Sequence, residues 1–219
     1  MYIEILLIIV AYFLGSIPTS YLIGKYKYGF DIRQRGSGNV GGANAARTMG
    51  MKVGILSGLV DILKGTAATL IAIWYSSNYP AATGIFQDPN VLVAACSFMA
   101  VIGHCYSWIL GFKGGKGGAT TAGVVLALDW VTFLVLVGIW IIVVGSTRFT
   151  SLGNLVAVWV IPPMLKLREK VLYEKVASPI PSPAYQIMSF ALVVLIYYRH
   201  RDNIGRLLQG NERKFGQRE

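Results

Sequence analysis

The stretch at residues 111–118 is rich in glycine and lysine, a composition that can bind an anion. It reads GFKGGKGG, so five of its eight residues are glycines and two are lysines. Glycine lets successive backbone N–H groups converge on an anion, and each lysine adds a positive charge. A Walker A loop is excluded, because Leu110 stands where that motif requires its first glycine. We predict an anion-binding loop, with a flexible turn between two helices as the alternative. The candidate substrate-binding residues are Lys113, Gly114, Gly115, Lys116 and Gly117.

A second polar segment at residues 31–47 reads DIRQRGSGNVGGANAAR. Its glycines permit close approach of a ligand to the backbone, its serine and asparagines offer hydroxyl and amide groups, and its arginines can bind phosphate through two hydrogen bonds. The alternative is a glycine-rich linker, although a plain linker needs neither the asparagines nor the arginines. The candidates are Ser37, Asn39 and Arg47 in catalysis, and Gly38, Gly41 and Asn44 in substrate binding.

Further polar residues lie near or inside apolar segments. His104 precedes the glycine-lysine loop by about two helical turns. It either bonds a neighbouring helix, or orients substrate or carries a proton near the membrane surface. Asp61 and Lys64 share one face of an apolar segment by their i, i+3 spacing, as a structural ion pair or as part of a site. The segment after His200 is either a basic tail next to the membrane or a third part of the site. Its candidates are Asn203, Arg206 and Glu212, with Glu212 placed to hold the cations.

The elements that must position these residues are apolar. Hydrophobic residues make up 54% of the 219 residues and charged residues only 14%, with a mean hydropathy of +0.56. A bilayer-crossing helix needs about 20 apolar residues, so the chain holds roughly six or seven spans and little else. We therefore predict a single all-α integral membrane domain over residues 1–219. The net charge of +10 indicates lipid headgroups and anionic substrates, not nucleic acid, because the basic residues flank apolar segments.

Seven apolar runs are candidate membrane spans, and a six-span arrangement is the alternative because the fourth run is short. The first run contains Pro18, which we expect to be tolerated within the span, and it lacks the basic start of a signal peptide. Fifteen of the twenty Lys and Arg residues lie on one side of the seven-span arrangement and four on the other. The positive-inside rule then predicts an external N-terminus and a cytoplasmic C-terminus, with outer loops at 76–90 and 166–183. The runs are at residues 2–24, 52–76, 91–112, 118–129, 130–147, 150–166 and 184–200.

The sequence lacks the motifs of several reaction classes. The sequence has no HExxH, no G-x-S-x-G and no paired-carboxylate metal cluster, and the spacing of Cys96 and Cys105 fits neither a disulfide framework nor a zinc site. Two anion-binding segments favour a transferase that acts on phosphorylated substrates at the membrane surface. The rival is a small-anion or lipid transporter, which should place its charges near the bilayer midplane and often shows internal repeats.

Three motifs resemble the bacterial acyl-phosphate:glycerol-3-phosphate acyltransferase (PlsY) family: GSGNVGGAN at 36–44, GHCYSWILGFKGGKGGAT at 103–120 and HRDNIGRLLQGNERK at 200–214. GSIPTSYLIGK at 15–25 and DILKG at 61–65 are also similar to the family, which adds Lys64 to the candidate substrate-binding residues. Ala43 and Gly118 depart from the usual family residues, Thr and Val. The motifs follow one another in family order and the similarity covers essentially the whole chain.

The resemblance implies transfer of a fatty acyl group from acyl phosphate to the sn-1 hydroxyl of glycerol 3-phosphate, giving lysophosphatidic acid and phosphate. It implies an enzyme of the bacterial inner membrane that needs no metal, cofactor or acyl-CoA. We expect a monomer, and the distribution of Lys and Arg places its active site on the cytoplasmic side. The second motif would bind the phosphate of glycerol 3-phosphate. We expect direct attack by the substrate hydroxyl, with the donor's own phosphate or His104 accepting the proton. A covalent Ser37 intermediate is the alternative.

Overall fold

The fold was analysed in a computed structural model that describes residues 2–79, 86–176 and 182–216. All regular structure in these ranges is helical. Residues 80–85 and 177–181, which belong to the two predicted outer loops, lie outside the described residues. The helices are α1 (Tyr2–Ser16), α2 (Thr19–Lys27), α3 (Gly42–Met49), α4 (Met51–Asn78), α5 (Pro89–Cys105), α6 (Gly118–Leu128), α7 (Trp130–Thr147), α8 (Thr150–Ala157), α9 (Ile161–Leu167), α10 (Glu169–Lys175), α11 (Ala184–Arg199) and α12 (Arg201–Leu208).

Four segments of the described chain are long and apolar enough to cross a membrane. They are Met51–Asn78, Pro89–Leu110, Trp130–Thr147 and Thr150–Leu167, and the bent pair α1 and α2 makes a fifth if it is one span. The helices α6 and α11 are apolar but shorter. An all-helical fold with membrane-spanning segments is thus confirmed, whereas the number seven depends on whether α6 and α11 also cross.

The first apolar run is broken at Pro18 and is not one continuous helix. The helix α1 ends at Ser16, α2 begins at Thr19, and their axes differ by 45°. Proline lacks the N–H that a helix interior requires and disfavours helical geometry in the residue before it. If α1 and α2 form one span, Pro18 lies at a bend within that span, and the sequence analysis did not predict the bend.

Glycines allow the helices that carry the site to approach closely. The pair α4 and α6 packs through Gly65 and Gly123, where a Cβ atom would collide with the carbonyl oxygens of Thr120 and Ile62. Small residues are what bring membrane helices into backbone contact. The short helix α6 is thereby seated directly against α4. Cys96 and Cys105 are buried, unpaired thiols in the same apolar core, as their spacing predicted.

Polar contacts fix the C-terminal end of α6. At its C-terminal end, Asp129 caps α7 by accepting hydrogen bonds from the backbone N and the Oγ1 of Thr132, at 2.9 and 2.7 Å. Arg168 pairs with the same carboxylate at 3.1 Å. Burial alone would raise the pKa of Asp129, but the hydrogen bonds from Arg168 and Thr132 outweigh burial and lower it. Lys175 donates to the carbonyl oxygen of Ala127 at 2.9 Å. The other end of α6 opens into the candidate site.

Candidate active site

A cavity of about 400 Å³ is lined by most of the predicted residues, which come from distant parts of the sequence. Its walls come from the loop before α3, from α3, α4, α6, α7 and α8, and from the C-terminal segment. Five of the sixteen predicted residues do not line it: Gly38, Lys64, Lys113, Gly114 and Gly115. The other eleven line it: Ser37, Asn39, Gly41, Asn44, Arg47, His104, Lys116, Gly117, Asn203, Arg206 and Glu212.

Asn44 organises the loop of the first motif. Its side-chain amide donates to the carbonyl oxygens of Asn39 and Arg35 at 2.9 and 3.1 Å, and its Oδ1 accepts from the backbone N of Ser37 at 2.8 Å. Three bonds occupy most of what one amide can make. Asn44, which is 1% exposed, therefore shapes the loop that presents Ser37 and Asn39. Gly38 forms the turn inside that loop, with a φ of +71° and its N–H bonded to the Arg35 carbonyl.

The loop of the second motif does not form the cradle of N–H groups that its sequence predicted. The N–H of Gly114 donates to Cys105 at 3.1 Å and that of Gly115 to His104 at 2.9 Å. The carbonyls of the same two glycines face Arg199. These N–H groups bind the end of α5 and cannot receive an anion, and Lys113 is exposed away from the cavity.

What this loop presents to the cavity is Lys116, Gly117 and the start of α6. Gly117 has a left-handed φ of +87° and precedes the first helical residue, Gly118. The first N–H groups of a helix have no acceptor inside it and carry the positive end of the helix dipole. Gly117, Gly118 and Ala119 all line the cavity. The backbone donors that face the cavity thus belong to a helix terminus beside a lysine, a few residues from the predicted cradle.

Lys116 belongs to a polar network with the third motif. Its Nζ donates to Oδ1 of Asn203, whose Nδ2 donates to Glu212 at 2.6 Å. Glu212 also accepts from Ser151 at 2.9 Å and pairs with Arg206 at 2.7 Å. Burial, followed by the positive charge of Arg206, lowers the pKa of Lys116 to about 8. Glu212 does hold the residues around it in place, as its position in a basic segment predicted.

Asp61, Lys64 and His104 form a buried cluster in the wall of the cavity. Lys64 Nζ lies 2.8 Å from Asp61 Oδ1, 2.9 Å from His104 Nδ1 and 2.9 Å from the Ile17 carbonyl oxygen. An ammonium has three hydrogens and no acceptor, so these three groups all accept. In the tautomer that accepts from Lys64, His104 carries its imidazole proton on Nε2, which faces Gly115, and its Nδ1 also lies 3.5 Å from Asp61 Oδ1. All three hydrogen-bond donors of Lys64 therefore have acceptors in or beside this cluster, and Lys64 does not line the cavity.

One side of the cavity is apolar. Ile55, Leu59 and Ile62 of α4 face Leu136 and Val137 of α7 across the small residues of α6. Ile55 and Leu59 are more than half exposed on the outer surface of α4. The cavity therefore runs from a polar end into a groove that opens sideways between α4 and α7. Within the described residues, no group of three His, Cys, Asp or Glu side chains is arranged to hold a metal ion.

A family model for glycerol-3-phosphate acyltransferase matches residues 5–210. The chain belongs to the glycerol-3-phosphate acyltransferase family. Glycerol-3-phosphate acyltransferase 2 of Moorella thermoacetica is 43% identical over 214 residues, which cover 98% of each chain. The glycerol-3-phosphate acyltransferase of Chlorobaculum tepidum is 37% identical over 223 residues, covering 95% of this chain and 94% of the relative.

Solved structures extend the similarity to the membrane fold. The crystal structure of PlsY, an integral membrane glycerol 3-phosphate acyltransferase, in its glycerol 3-phosphate form matches with a TM-score of 0.82 at 34% identity, covering 97% of this chain and 96% of that one. Its lysophosphatidic acid form matches with a TM-score of 0.78 at 32% identity, covering 97% and 95%. The family resemblance of the three motifs is thus confirmed, and this glycerol-3-phosphate acyltransferase family member has an integral membrane fold.

In this family member, polar residues that the sequence analysis did not name as candidates also line the cavity, among them Ser151, Asn154 and His200, and Asp61, which it left as an ion pair or part of a site, lines it as well. His200 accepts from Asn154 at 3.4 Å through Nε2, and its Nδ1 bonds the Ile196 carbonyl at 2.8 Å. Burial lowers the pKa of His200 to about 4, so its ring is neutral at pH 7. The spacing of Ser151 and Asn154 at i, i+3 was a signal for a shared helix face.

Proposed function

We propose that this protein transfers a fatty acyl group from an acyl phosphate to the sn-1 hydroxyl of glycerol 3-phosphate, which yields lysophosphatidic acid and inorganic phosphate. The observation that carries the proposal is one cavity with two chemically different ends. A cationic end meets an apolar groove, and the groove opens between α4 and α7. A reaction that joins a phosphorylated polyol to a fatty chain needs both in contact.

The polar end suits two phosphate groups, one from each substrate. Lys116, Arg206 and Arg47 bring positive charge to it, and the N-terminus of α6 adds backbone donors. We assign Lys116, Gly117 and Arg206 to substrate binding, with Gly114 and Gly115 as the support behind them. Asn44 and Gly41 shape the opposing loop. Relatives named glycerol-3-phosphate acyltransferase support glycerol 3-phosphate as the acceptor.

The chemistry we propose is direct transfer. The sn-1 oxygen attacks the acyl carbonyl carbon, the bond from that carbon to the phosphate oxygen breaks, and phosphate leaves with the electron pair. An acyl phosphate has a good leaving group, so positioning and neutralisation of charge supply most of the catalysis. Ser37, Asn39, Arg47, Asn203 and Glu212 would position the two substrates.

The proton of the attacking hydroxyl goes to the donor's own phosphate in this proposal. His104 is the other acceptor that the sequence allowed, but its Nδ1 already accepts from Lys64 at 2.9 Å. Its remaining nitrogen carries a proton and faces Gly115. A ring in that state donates and does not accept. We therefore assign His104 a positioning role, in which its carbonyl and its ring hold Gly115.

We also propose a seven-span arrangement in the bacterial inner membrane. It counts the bent pair α1 and α2, the spans α4, α5 and α7, the combined α8 and α9, and the shorter helices α6 and α11. The N-terminus would be outside and the C-terminus and active site cytoplasmic, by the distribution of Lys and Arg. We expect a monomer that uses no metal or cofactor and takes its acyl donor from the membrane.

The deciding experiment supplies the purified protein with palmitoyl phosphate and glycerol 3-phosphate and follows phosphate and lysophosphatidic acid. We expect both products to appear together and only when glycerol 3-phosphate is present. Phosphate release without glycerol 3-phosphate would identify a hydrolase, and a transporter would form no lysophosphatidic acid. Double-reciprocal plots should intersect, whereas parallel lines together with an acylated Ser37 would show a covalent intermediate.

A further inference from the structure

Gly58 differs from the other glycines that line the cavity. A Cβ atom built on Gly54 would meet Ala46, and one on Gly118 would meet Asn154, whereas one on Gly58 meets no heavy atom within 4 Å. Gly42, close by on α3, would collide with the Gly54 carbonyl. Among the cavity-lining glycines of the described ranges, Gly58 alone directs its missing side chain into open space. Gly58 itself is half-buried and lines the cavity.

Its position on α4 is the border between the two ends of the cavity. At 3.6 residues per turn, Asp61 and Gly54 fall on one side of Gly58, and Ile62 and Ile55 fall on the other. Asp61 belongs to the polar cluster with His104, and the isoleucines line the apolar groove. An acyl chain with its carboxyl carbon at the polar end must therefore cross α4 at Gly58 to enter the groove.

Backbone conformation gives no separate reason for a glycine there. Gly58 lies inside α4 and is absent from the glycines with positive φ in the described chain. Glycine in a helix interior is less favourable than alanine. The glycine instead leaves space, free of any side chain, at the border between the polar end of the cavity and the apolar groove.

We propose that Gly58 is a specificity-determining residue for the acyl donor, because its lack of a side chain opens the passage between the polar end of the cavity and the apolar groove. The inference rests on the proposed function and assigns one residue to the acceptance of the donor chain. Side-chain volume at this position should then control binding of the donor and leave binding of glycerol 3-phosphate intact. A single buried methylene changes the selectivity of an enzyme pocket by about tenfold or more.

The test is a volume series in the full chain: Gly58→Ala, Gly58→Val and Gly58→Leu. We expect the KM for palmitoyl phosphate to rise along the series, by at least about tenfold for leucine, with the KM for glycerol 3-phosphate unchanged. The matched control is Gly138→Leu on α7, another half-buried helical glycine with open space around its Cβ that does not line the cavity. It should keep both KM values.

Equilibrium binding of a hexadecyl phosphonate and of glycerol 3-phosphate separates a blocked passage from a misfolded protein. Loss of phosphonate binding with retained glycerol 3-phosphate binding supports the proposal. An unchanged KM for palmitoyl phosphate in Gly58→Leu overturns it, as does an equal loss for both substrates. If the wild-type protein forms no lysophosphatidic acid, the proposed function itself fails, which is a different result from insensitivity at position 58.

Discussion

Arg199 donates two hydrogen bonds to the carbonyl oxygen of Gly115, from Nε at 3.1 Å and from Nη2 at 2.9 Å. Nη2 also reaches the carbonyl of Gly114 at 3.0 Å, and the guanidinium lies over the ring of Tyr106. An arginine at the membrane edge would ordinarily be taken for a phosphate ligand. Here its guanidinium donates to the loop that carries Lys116, so Arg199 holds that loop, and with it the lysine, in position.

Replacement of Arg199 tests this relationship. Hydrogen bonds to charged groups each contribute about 1.5–3 kcal/mol, so Arg199→Lys, which cannot reproduce the fork, should lower kcat/KM for glycerol 3-phosphate by roughly ten- to a hundredfold. The matched control is Arg201→Ala, which removes an exposed arginine on the same segment and should change kcat/KM less than twofold. An unchanged kcat/KM in Arg199→Lys would mean that positive charge, and not the forked hydrogen bonding to the loop, is what Arg199 supplies.

Gly115→Ala should act through His104, because the new methyl group would collide with the imidazole. Overpacking of this kind costs about 1–3 kcal/mol, which should lower the Tm by several degrees. An anion-binding cradle at Gly115 would predict instead that the methyl group obstructs an approaching phosphate. The two explanations separate in a double-mutant cycle with His104→Ala: we expect strong coupling in the Tm. Gly145→Ala, in open space on α7, is the control and should not lower the Tm.

The pH dependence should report Lys116. Because its pKa is lowered to about 8, the folded protein loses this positive charge between about pH 8 and the ordinary lysine value of 10.5, whereas the unfolded chain keeps it. We expect kcat/KM for glycerol 3-phosphate to be constant below about pH 8 and to fall about tenfold per pH unit above it. The free energy of unfolding should rise over the same window, because the unfolded state binds more protons.

Lys116→Arg provides the control for that profile. An arginine stays charged throughout the range, so the fall above pH 8 should disappear even if the variant starts from a lower rate. A fall that persists in Lys116→Arg would assign the titration to another group.

His104→Asn should retain kcat within about tenfold of the wild-type value. The asparagine Oδ1 can accept the hydrogen bond from Lys64 that His104 Nδ1 accepts at 2.9 Å. Removal of a general base typically costs 10²–10⁴-fold, so a loss of that size in a folded variant would contradict a positioning role. Lys64→Met is the destabilising comparison, because it removes the ammonium that lies 2.8 Å from the buried carboxylate of Asp61, and breaking a buried pair costs about 3–5 kcal/mol.

The sequence predicted the helices well because lipid solvation leaves a plain hydropathy signal. The apolar runs correspond to α1 with α2, α4, α5, α6, α7, α8 with α9, and α11. The bend at Pro18 was missed, since hydropathy reports which residues are apolar and carries no information on axis direction. Pattern reasoning therefore located the segments but not the break in the first one.

The sequence predicted which residues belong to the site better than it predicted how those residues are arranged. Composition marked Gly115 and Lys116 together, yet only Lys116 lines the cavity. The difference arises because the N–H of Gly115 bonds the His104 carbonyl, a tertiary contact that no local pattern encodes. Asn154 and Ser151 were overlooked because each is an ordinary polar residue in an apolar run. Their place in the site becomes visible only when α8 contacts the third motif in the folded chain.

The sideways opening of the groove between α4 and α7 bears on how the reaction is supplied. Ile55 and Leu59 line the cavity and are also exposed on the outer face of α4, so a long-chain donor can enter, and its product can leave, without crossing water. The concentration that governs the rate is then a two-dimensional one, which for the proposed donor is the mole fraction of acyl phosphate among the surrounding lipids. Diluting the donor with inert phospholipid at constant bulk concentration should slow the enzyme, as it does for catalysts that draw substrate from a surface.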